Sequence, residues 1–241
     1  MKQEKLTVVS NRKLNSSTYE MILSGVTEDM FPGQFVEVKL PGKYLRRPFS
    51  VADYENGFLT LLYKVVGGGT DQMTKVNKGE VFDVLTGLGN TFNLELTKNP
   101  VLVGGGIGVA PMYGLCKAFS KISVKPTVVL GFRNKDEIFY LEEFEKIANV
   151  IVATDDGSVG LKGNSLNGLK TLDNVDFYYA CGPMVMLKAL SSYSKNGQLS
   201  LEARMGCGFG ACMGCSIKTV SGYKRVCKEG PVFMADEVIY E

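Results

Sequence analysis

Short runs of Val, Leu, Phe and Tyr alternate with polar residues along the first hundred positions. They cover Lys5 to Arg12, Thr18 to Leu23, Gln34 to Leu40, Pro48 to Ala52, Phe58 to Val66 and Val81 to Leu85. Successive side chains of a strand point to opposite faces, so this alternation marks strands with one buried side. Turn formers separate the runs: Phe31-Pro32-Gly33, Pro41-Gly42, Glu55-Asn56-Gly57 and Asn77-Lys78-Gly79. Six short strands at such spacing predict a small antiparallel β-barrel. One helical insert is predicted at Asp71 to Val76, opened by Gly67-Gly68-Gly69-Thr70.

Near Asn99-Pro100 the period changes. Val101 to Val103, Thr127 to Gly131, Val150 to Ala153 and Asp176 to Ala180 read as short buried strands. Helical spacing of apolar residues falls between and after them, at Val109 to Ser120, Asp136 to Ile147 and Pro183 to Tyr193. Strand and helix in alternation predict a doubly wound parallel sheet. Its ligand crevice should lie at the carboxyl ends of the strands. Gly104 to Gly108, Thr154-Asp155-Asp156-Gly157 and Cys181-Gly182-Pro183 fall there. Lys195 to Gln198 reads as a linker, after which a cysteine-rich segment follows.

Composition narrows the chemistry. Hydrophobic residues make up 45% and charged residues 22% of the 241, as in ordinary globular proteins, and a net charge of +2 gives no footing for nucleic acid. The first residues are charged and lead into a strand pattern rather than an apolar leader, and no stretch approaches the ~18 apolar residues of a membrane span. A cytoplasmic, reducing location is expected. There is no histidine. That removes Ser-His and Cys-His nucleophiles, histidine-based zinc catalysis, Rieske ligation and axial-histidine haem together. The chemistry is then most economically carried by bound cofactors.

Four of the six cysteines, Cys207, Cys212, Cys215 and Cys227, follow the spacing C-x4-C-x2-C-x11-C and are interleaved with glycine. This is the plant-type ferredoxin spacing, in which four thiolates hold a 2Fe-2S cluster. A structural zinc site competes with that reading, although zinc modules usually show two short Cys or Cys/His pairs and this segment has one. A disulfide framework fits poorly, because such scaffolds are mostly small secreted domains. Cys116 and Cys181 sit in apolar segments, as small core residues do.

Three further stretches carry candidate chemistry. Arg46-Arg47-Pro48-Phe49-Ser50 places a guanidinium, a ring and a hydroxyl in succession, with Arg47 and Phe49 on one strand face and Ser50 on the other unless the strand bends. Gly67 to Thr70 opens a helix, where free N–H groups favour phosphate. Arg-Pro at a strand start and a glycine turn are also common structural devices. Gly104, Gly105, Gly106 and Gly108 form a turn after the first parallel strand, but Val109 stands where the dinucleotide fingerprint has its third glycine. No acidic residue lies at the distance expected for a ribose hydroxyl, and Arg133 ends the next strand.

With these pieces placed, the sequence resembles the ferredoxin-NADP reductase superfamily. Arg47-Pro48-Phe49-Ser50 is similar to its R-x-Y-S flavin motif, with Phe49 in place of tyrosine, and Gly104 to Pro111 and Cys181-Gly182-Pro183-Met184 are similar to its nucleotide motifs. Leu201 to Phe233, with Arg204-Met205-Gly206-Cys207 and Tyr223 to Phe233, resembles the electron-transfer subunits of class B dihydroorotate dehydrogenases. The resemblance implies an FAD-binding β-barrel at 1–97, a nicotinamide nucleotide-binding α/β domain at 98–198 and a small Cys-rich 2Fe-2S module at 199–241. It implies that Arg47 meets the FAD pyrophosphate, that Phe49 stacks near the isoalloxazine and that Ser50 approaches its reactive edge. Pro48 belongs to the same motif. Lys64, Val65 and Val66 would line the flavin, while Gly69 and Thr70 would hold phosphate. The glycines 104, 105, 106 and 108, with Asp155, Cys181, Gly182 and Pro183, would frame NAD. The four spaced cysteines would ligate the cluster.

The resemblance also implies a route. A nicotinamide takes two electrons as hydride, a 2Fe-2S cluster passes one, and flavin can do both. Electrons would run from an FMN-containing dihydroorotate dehydrogenase catalytic subunit through the cluster and FAD to NAD+, in pyrimidine biosynthesis. Two of each chain would form a heterotetramer, and no side-chain acid or base is called for. Related flavin and cluster subunits serve cytosolic hydrogenases, sulfide dehydrogenases and ferredoxin-NAD(P)H oxidoreductases. A zinc-stabilised nucleotide-binding regulatory module is the alternative of another class.

Overall fold

The computed structural model describes residues 1–240. Seven strands come first: β1 Lys2–Lys13, β2 Thr18–Ser24, β3 Phe35–Lys39, β4 Arg47–Ser50, β5 Asp53–Glu55, β6 Phe58–Lys64 and β7 Val81–Leu88, with helix α1 Gly68–Met73 before the last. They form one antiparallel sheet in the order β4-β3-β7-β1-β2-β6-β5, curled into a half-barrel. The alternation in the sequence is the cause. Along β7, Phe82, Val84, Thr86 and Leu88 are buried while Val81, Asp83, Leu85 and Gly87 are not. Phe82 and Val84, with Leu6, Val8, Met21, Leu23, Val36, Val38, Leu59 and Leu61, fill the half-barrel, while Leu88 belongs with Phe35 and Val101 to a second core cluster.

Strand β5 is one more than the six expected. It is three residues long and carries Asp53 and Glu55, so it has no hydrophobic signature. Both carboxylates pair with Lys117 Nζ, at 2.6 and 3.1 Å. Lys117 belongs to the next layer, so the short strand is held by a tertiary contact.

The second sheet is built from β8 Val101–Gly105, α2 Val109–Lys121, β9 Thr127–Phe132, α3 Leu141–Glu145, β10 Asn149–Thr154, β11 Leu161–Lys162, α4 Ser165–Leu169, β12 Tyr178–Cys181, α5 Met184–Tyr193 and β13 Gly197–Ser200. Its strands run parallel in the order β11-β10-β9-β8-β12-β13. The order reverses between β8 and β12, which is where a doubly wound sheet opens its crevice. Strand β13 straddles the linker expected at Lys195 to Gln198. The last elements are a hairpin, β14 Ser216–Thr219 and β15 Gly222–Arg225, and β16 Val232–Met234, which joins the second sheet antiparallel to β13. Asn90 secures this segment to the half-barrel: its Nδ2 donates to the carbonyls of Glu229 and Val232, and its Oδ1 accepts from Val232 N–H at 2.9 Å.

The helix expected over Asp136 to Ile147 is broken. A 3-10 turn at Lys135–Glu137 is followed by Tyr140 at φ 61°, and only then by α3. The Tyr140 ring packs against Tyr113 at 4.9 Å and its hydroxyl donates to Glu20, across the boundary between the two layers. Those contacts outweigh continuation of the helix.

Glu20 is buried and accepts two hydrogen bonds from Arg12, at 2.6 and 3.0 Å, besides the one from Tyr140. Burial pushes its carboxyl up, but the Arg12 and Tyr140 bonds prevail and hold it below the ordinary 4.5. A folded value below the unfolded one stabilises above pH 4.5 and is lost as pH falls beneath it. Glu20→Gln should cost about 1–2 kcal/mol at pH 7, since Arg12 is half-exposed and stays solvated. That difference should shrink below about pH 4.5. Denaturant titrations of both proteins at pH 7 and pH 3.5 measure it; an unchanged gap at the two pH values refutes the linkage.

Candidate functional site

Two clefts lie where the parts of the chain touch, and the segment leading into the thiol-bearing loop borders the first of them through Leu201, Glu202, Ala203 and Met205. The first cleft, of about 340 Å³, lies between β4, the end of β6, the starts of α1 and α2, and the segment after β13. Arg47, Pro48, Phe49 and Ser50 all border it, rather than only the residues of one face. The reason is that β4 is the edge strand of its sheet, so both faces and its free edge reach the cavity. Tyr63 stands behind Phe49, ring centroids 6.1 Å apart, and donates its hydroxyl to Asn11 Oδ1.

Arg47 leans on the opening of α1. A Cβ at Gly69 would come within 3.0 Å of Arg47 Nε, so glycine there makes room for the guanidinium. Arg47 Nη1 donates to the Leu45 carbonyl at 2.5 Å, and no carboxylate pairs with it among the described residues. Thr70 closes the turn by accepting from the N–H groups of Val66 and Gly67 at 2.9 and 3.2 Å. A cationic fork, a glycine turn and an aromatic wall in one groove fit a flavin dinucleotide. Lys64, Val66 and Thr70 border this cleft, whereas Val65 does not: its N–H donates to the Ser17 carbonyl.

The second cleft, about 690 Å³, opens at the reversal of strand order. Gly105, Gly106, Asp155, Gly182 and Pro183 border it, with Arg133, Ser165 and Met186. A Cβ at Gly105 would lie 2.5 Å from Met186 Sδ, near the flexible end of that side chain, and 3.2 Å from Pro183 Cδ. Gly104 is buried behind the wall and packs on Val109. Gly108 and Cys181 face the first cleft instead, because the glycine turn and the end of β12 touch each other there. Cys116 and Cys181 are both buried, as their apolar surroundings suggested.

Lys64 and Glu202 each border both clefts, as does Ile107 of the glycine turn, whereas the sequence placed Lys64 at the flavin alone and did not point to Glu202. Lys64 Nζ pairs with Glu137 at 3.0 Å, across the layer boundary. Glu202 follows β13 and so arrives from the C-terminal segment. Neither position has a local signature, because each matters only for where the layers meet.

In the loop, the four thiols stand two and two. Cys207 neighbours Cys212 and Cys215 neighbours Cys227, the backbone N–H of the second residue of each pair donating to the sulfur of the first. The N–H groups of Ala211 and Cys212 donate to Cys207 Sγ at 3.2 and 3.4 Å, and Cys227 N–H donates to Cys215 Sγ at 3.4 Å. Burial opposes ionisation of Cys207, but these backbone donors prevail and bring it down to about 6. Burial and the neighbouring Cys215 push Cys227 up to about 12. No three Cys, Asp or Glu side chains converge on one point among the described residues. A mononuclear zinc site gathers four ligands around one ion, whereas a binuclear cluster takes two thiolates per iron. The paired arrangement and the N–H donors aimed at sulfur fit the cluster.

Glu37 lies beneath this loop. It is 1% exposed, on β3 opposite Pro48, and its Oε1 has no hydrogen-bond partner. Burial pushes its carboxyl up to about 7; Arg46 pulls the other way and the Cys207 thiolate adds to the rise. A Cβ at Gly208 would sit 2.3 Å from Glu37 Oε1, and Gly208 has φ +77°, so both space and backbone call for glycine there.

Comparison with known proteins meets this geometry. The iron-sulfur cluster binding domain of dihydroorotate dehydrogenase B matches residues 202–239, and the oxidoreductase NAD-binding domain matches 102–192. The electron transfer subunit of dihydroorotate dehydrogenase B (NAD(+)) from Fusobacterium nucleatum is 44% identical, with all of both chains covered. The chain belongs to this family. A second member, from Caldanaerobacter subterraneus, is 40% identical over 98% of each chain. Among solved structures, a chain of the NADH-dependent reduced ferredoxin-NADP oxidoreductase, studied for flavin-based electron bifurcation, superposes with a TM-score of 0.90 at 31% identity, covering 98% of this chain and 90% of that one. The ferredoxin reductase of carbazole 1,9a-dioxygenase, at 20% identity and TM-score 0.70, shares the fold. As in the family, the chain is an NAD-linked flavin and iron-sulfur oxidoreductase subunit, and its cofactors are FAD, a 2Fe-2S cluster and NAD. A subunit of this kind works with a catalytic partner. No helix of the described residues is long and apolar enough to cross a membrane.

Proposed function

We propose that this chain relays electrons, one at a time, from an FMN-containing dihydroorotate dehydrogenase subunit to a bound flavin, and as hydride to NAD+, in a cytoplasmic heterotetramer of two copies of each subunit. The observation that carries this reading is that the two clefts adjoin each other and that the segment leading into the cysteine loop, Leu201 to Ala203 and Met205, borders the first of them. When bound, FAD supplies the conversion between one-electron and two-electron transfer. We divide the chain by role into residues 1–97 for flavin, 98–198 for nicotinamide nucleotide and 199–241 for the cluster.

The residues then have distinct tasks. Arg47 lacks a carboxylate partner among the described residues, which leaves its charge for a pyrophosphate, beside the Gly69-Thr70 turn. Phe49 covers one side of the first cleft with a ring that stacks without hydrogen bonding. Ser50 presents a hydroxyl to the same space. Gly105, Gly106, Gly182 and Pro183 bring backbone close to the nucleotide, and Asp155 supplies an acceptor. Cys207 with Cys212 would hold one iron, and Cys215 with Cys227 the other. The exposed Phe209 and Met213 lie in the same loop and supply apolar surface for the partner.

Reconstituted with FAD and iron-sulfur, the isolated chain should reduce an artificial dye from NADH yet leave dihydroorotate untouched. Addition of the FMN subunit should restore dihydroorotate-dependent NAD+ reduction. A colourless protein holding stoichiometric zinc refutes the redox reading. The likeness to a ferredoxin-NADP oxidoreductase chain supports a second reading, in which the partner is a ferredoxin-linked subunit. Co-purification from the native extract with such a protein, and no FMN dehydrogenase, would favour it.

A further inference from the structure

We infer that the Arg225–Glu229 pair is a positioning device for the cluster loop, and that its two opposed charges hold each other in balance beside the cluster. The inference rests on the cluster reading above. The four cysteines arrive on two separate limbs, residues 207–215 and the turn at 227. Arg225 sits at the end of β15, two residues ahead of Cys227, and its side chain spans both limbs. Nη1 donates to the carbonyl of Gly210, inside the Cys207–Cys212 turn, at 2.6 Å. Nε donates to Glu229 Oε2 at 3.0 Å and Nη2 donates to Glu229 Oε1, a two-pronged fit that guanidinium makes and ammonium does not. Glu229 Oε2 also accepts the Arg225 backbone N–H at 2.7 Å.

The fork is therefore fixed from one side and reaches across to the other. The carbonyl of Arg225 accepts from Lys228, Glu229 and Gly230, so the backbone beneath the fork is closed into a turn. Gly210 has φ +91°, and a Cβ there would meet the Lys228 side chain at 2.6 Å, so this carbonyl comes close to the 227 limb only because residue 210 is glycine. Arg225 and Glu229 side chains are 21% and 32% exposed, which leaves their charges incompletely screened.

Their charges cancel as a pair and act oppositely alone. A reduced cluster carries one more negative charge than an oxidised one, so a bare cation nearby favours reduction and a bare anion opposes it. Arg225→Gln leaves Glu229 uncompensated and should shift the oxidised-to-reduced ratio, at fixed potential, about tenfold toward oxidised. Glu229→Gln leaves Arg225 uncompensated and should shift it about as far toward reduced. One tenfold step is 59 mV for a one-electron couple. Arg225→Lys keeps the charge and loses the fork, so its ratio should stay within about threefold of the parent while a chelator strips its iron several-fold faster.

The experiment is an EPR-monitored redox titration of the reconstituted chain, with visible circular dichroism and timed iron release to a chelator. Shifts of opposite sign for the two glutamine variants support the inference, since a purely structural role lowers cluster retention without giving opposite shifts. Shifts of equal sign, or neither variant moving threefold, overturn the electrostatic part; parental iron release from Arg225→Lys overturns the clamp. If Arg225→Gln holds no cluster, Glu229→Gln and Arg225→Lys still decide each part. A parent chain that shows no cluster signal refutes the cluster reading itself, and flavin absorption reports separately on the fold.

Discussion

Cys212→Ser should bleach the cluster absorption while the flavin bands and NADH-dependent dye reduction stay near parental values. Cys212 is exposed, so its replacement removes little packing. It does remove the thiol that Cys207 pairs with, one of the two thiolates proposed for one iron. A hydroxyl is a far weaker ligand for iron than a thiolate, because the soft thiolate donor is what these clusters select. The first cleft is walled by Arg47 to Ser50, Tyr63, Lys64 and Thr70, and none of the four spaced cysteines lines it. Flavin retention should therefore be independent of the cluster. Dihydroorotate-dependent NAD+ reduction in the assembled complex should fall to background. Flavin content, cluster spectrum and the two activities, measured on one preparation, check this; loss of flavin together with cluster would mean that the C-terminal segment holds the half-barrel in shape.

Gly108→Ala should destabilise the chain by about 2–3 kcal/mol and raise the KM for NADH. The backbone at 108 is ordinary helical, φ −63°, so alanine suits it locally. The obstacle is space: the new Cβ would lie 2.3 Å from the Cys181 carbonyl oxygen and 2.5 Å from Gly182 N. Both are main chain, which cannot swing away as a side-chain tip does. The turn after β8 must then move off the end of β12, and these two segments flank the nucleotide cleft. Gly106 provides the contrast. A Cβ there meets nothing within 4 Å, and the cost is confined to its φ of +53°. Gly106→Ala should cost about 1 kcal/mol. Denaturant midpoints and NADH saturation curves of both variants test the distinction, and equal effects would argue against backbone contact as the cause.

The legible parts of this protein are those whose physics is local. Alternation along the first hundred residues specified strands because one face of each had to be buried, and Val81–Leu88 obeys that pattern residue by residue. The change to strand and helix alternation after Pro100 specified a parallel sheet. The iron-sulfur segment was legible because its cysteines carry a spacing that ferredoxin-type clusters use. Asp53–Glu55 was not legible, since a strand with charged ends is held by Lys117 of another layer. The break at Tyr140 was not either, because it follows from a hydroxyl reaching Glu20.

The sequence by itself thus determined most of the elements, their layer type and the candidate residues for phosphate, ring and iron. Only the tertiary structure decided that Gly108 and Cys181 touch, that Lys64 and Glu202 border both clefts, that Glu37 lies under Gly208, and that Arg225 reaches Gly210. The reason is common to all of these. Pattern along a chain reports burial and backbone preference within an element, whereas a contact between layers is fixed by how those elements pack and leaves no period in the sequence.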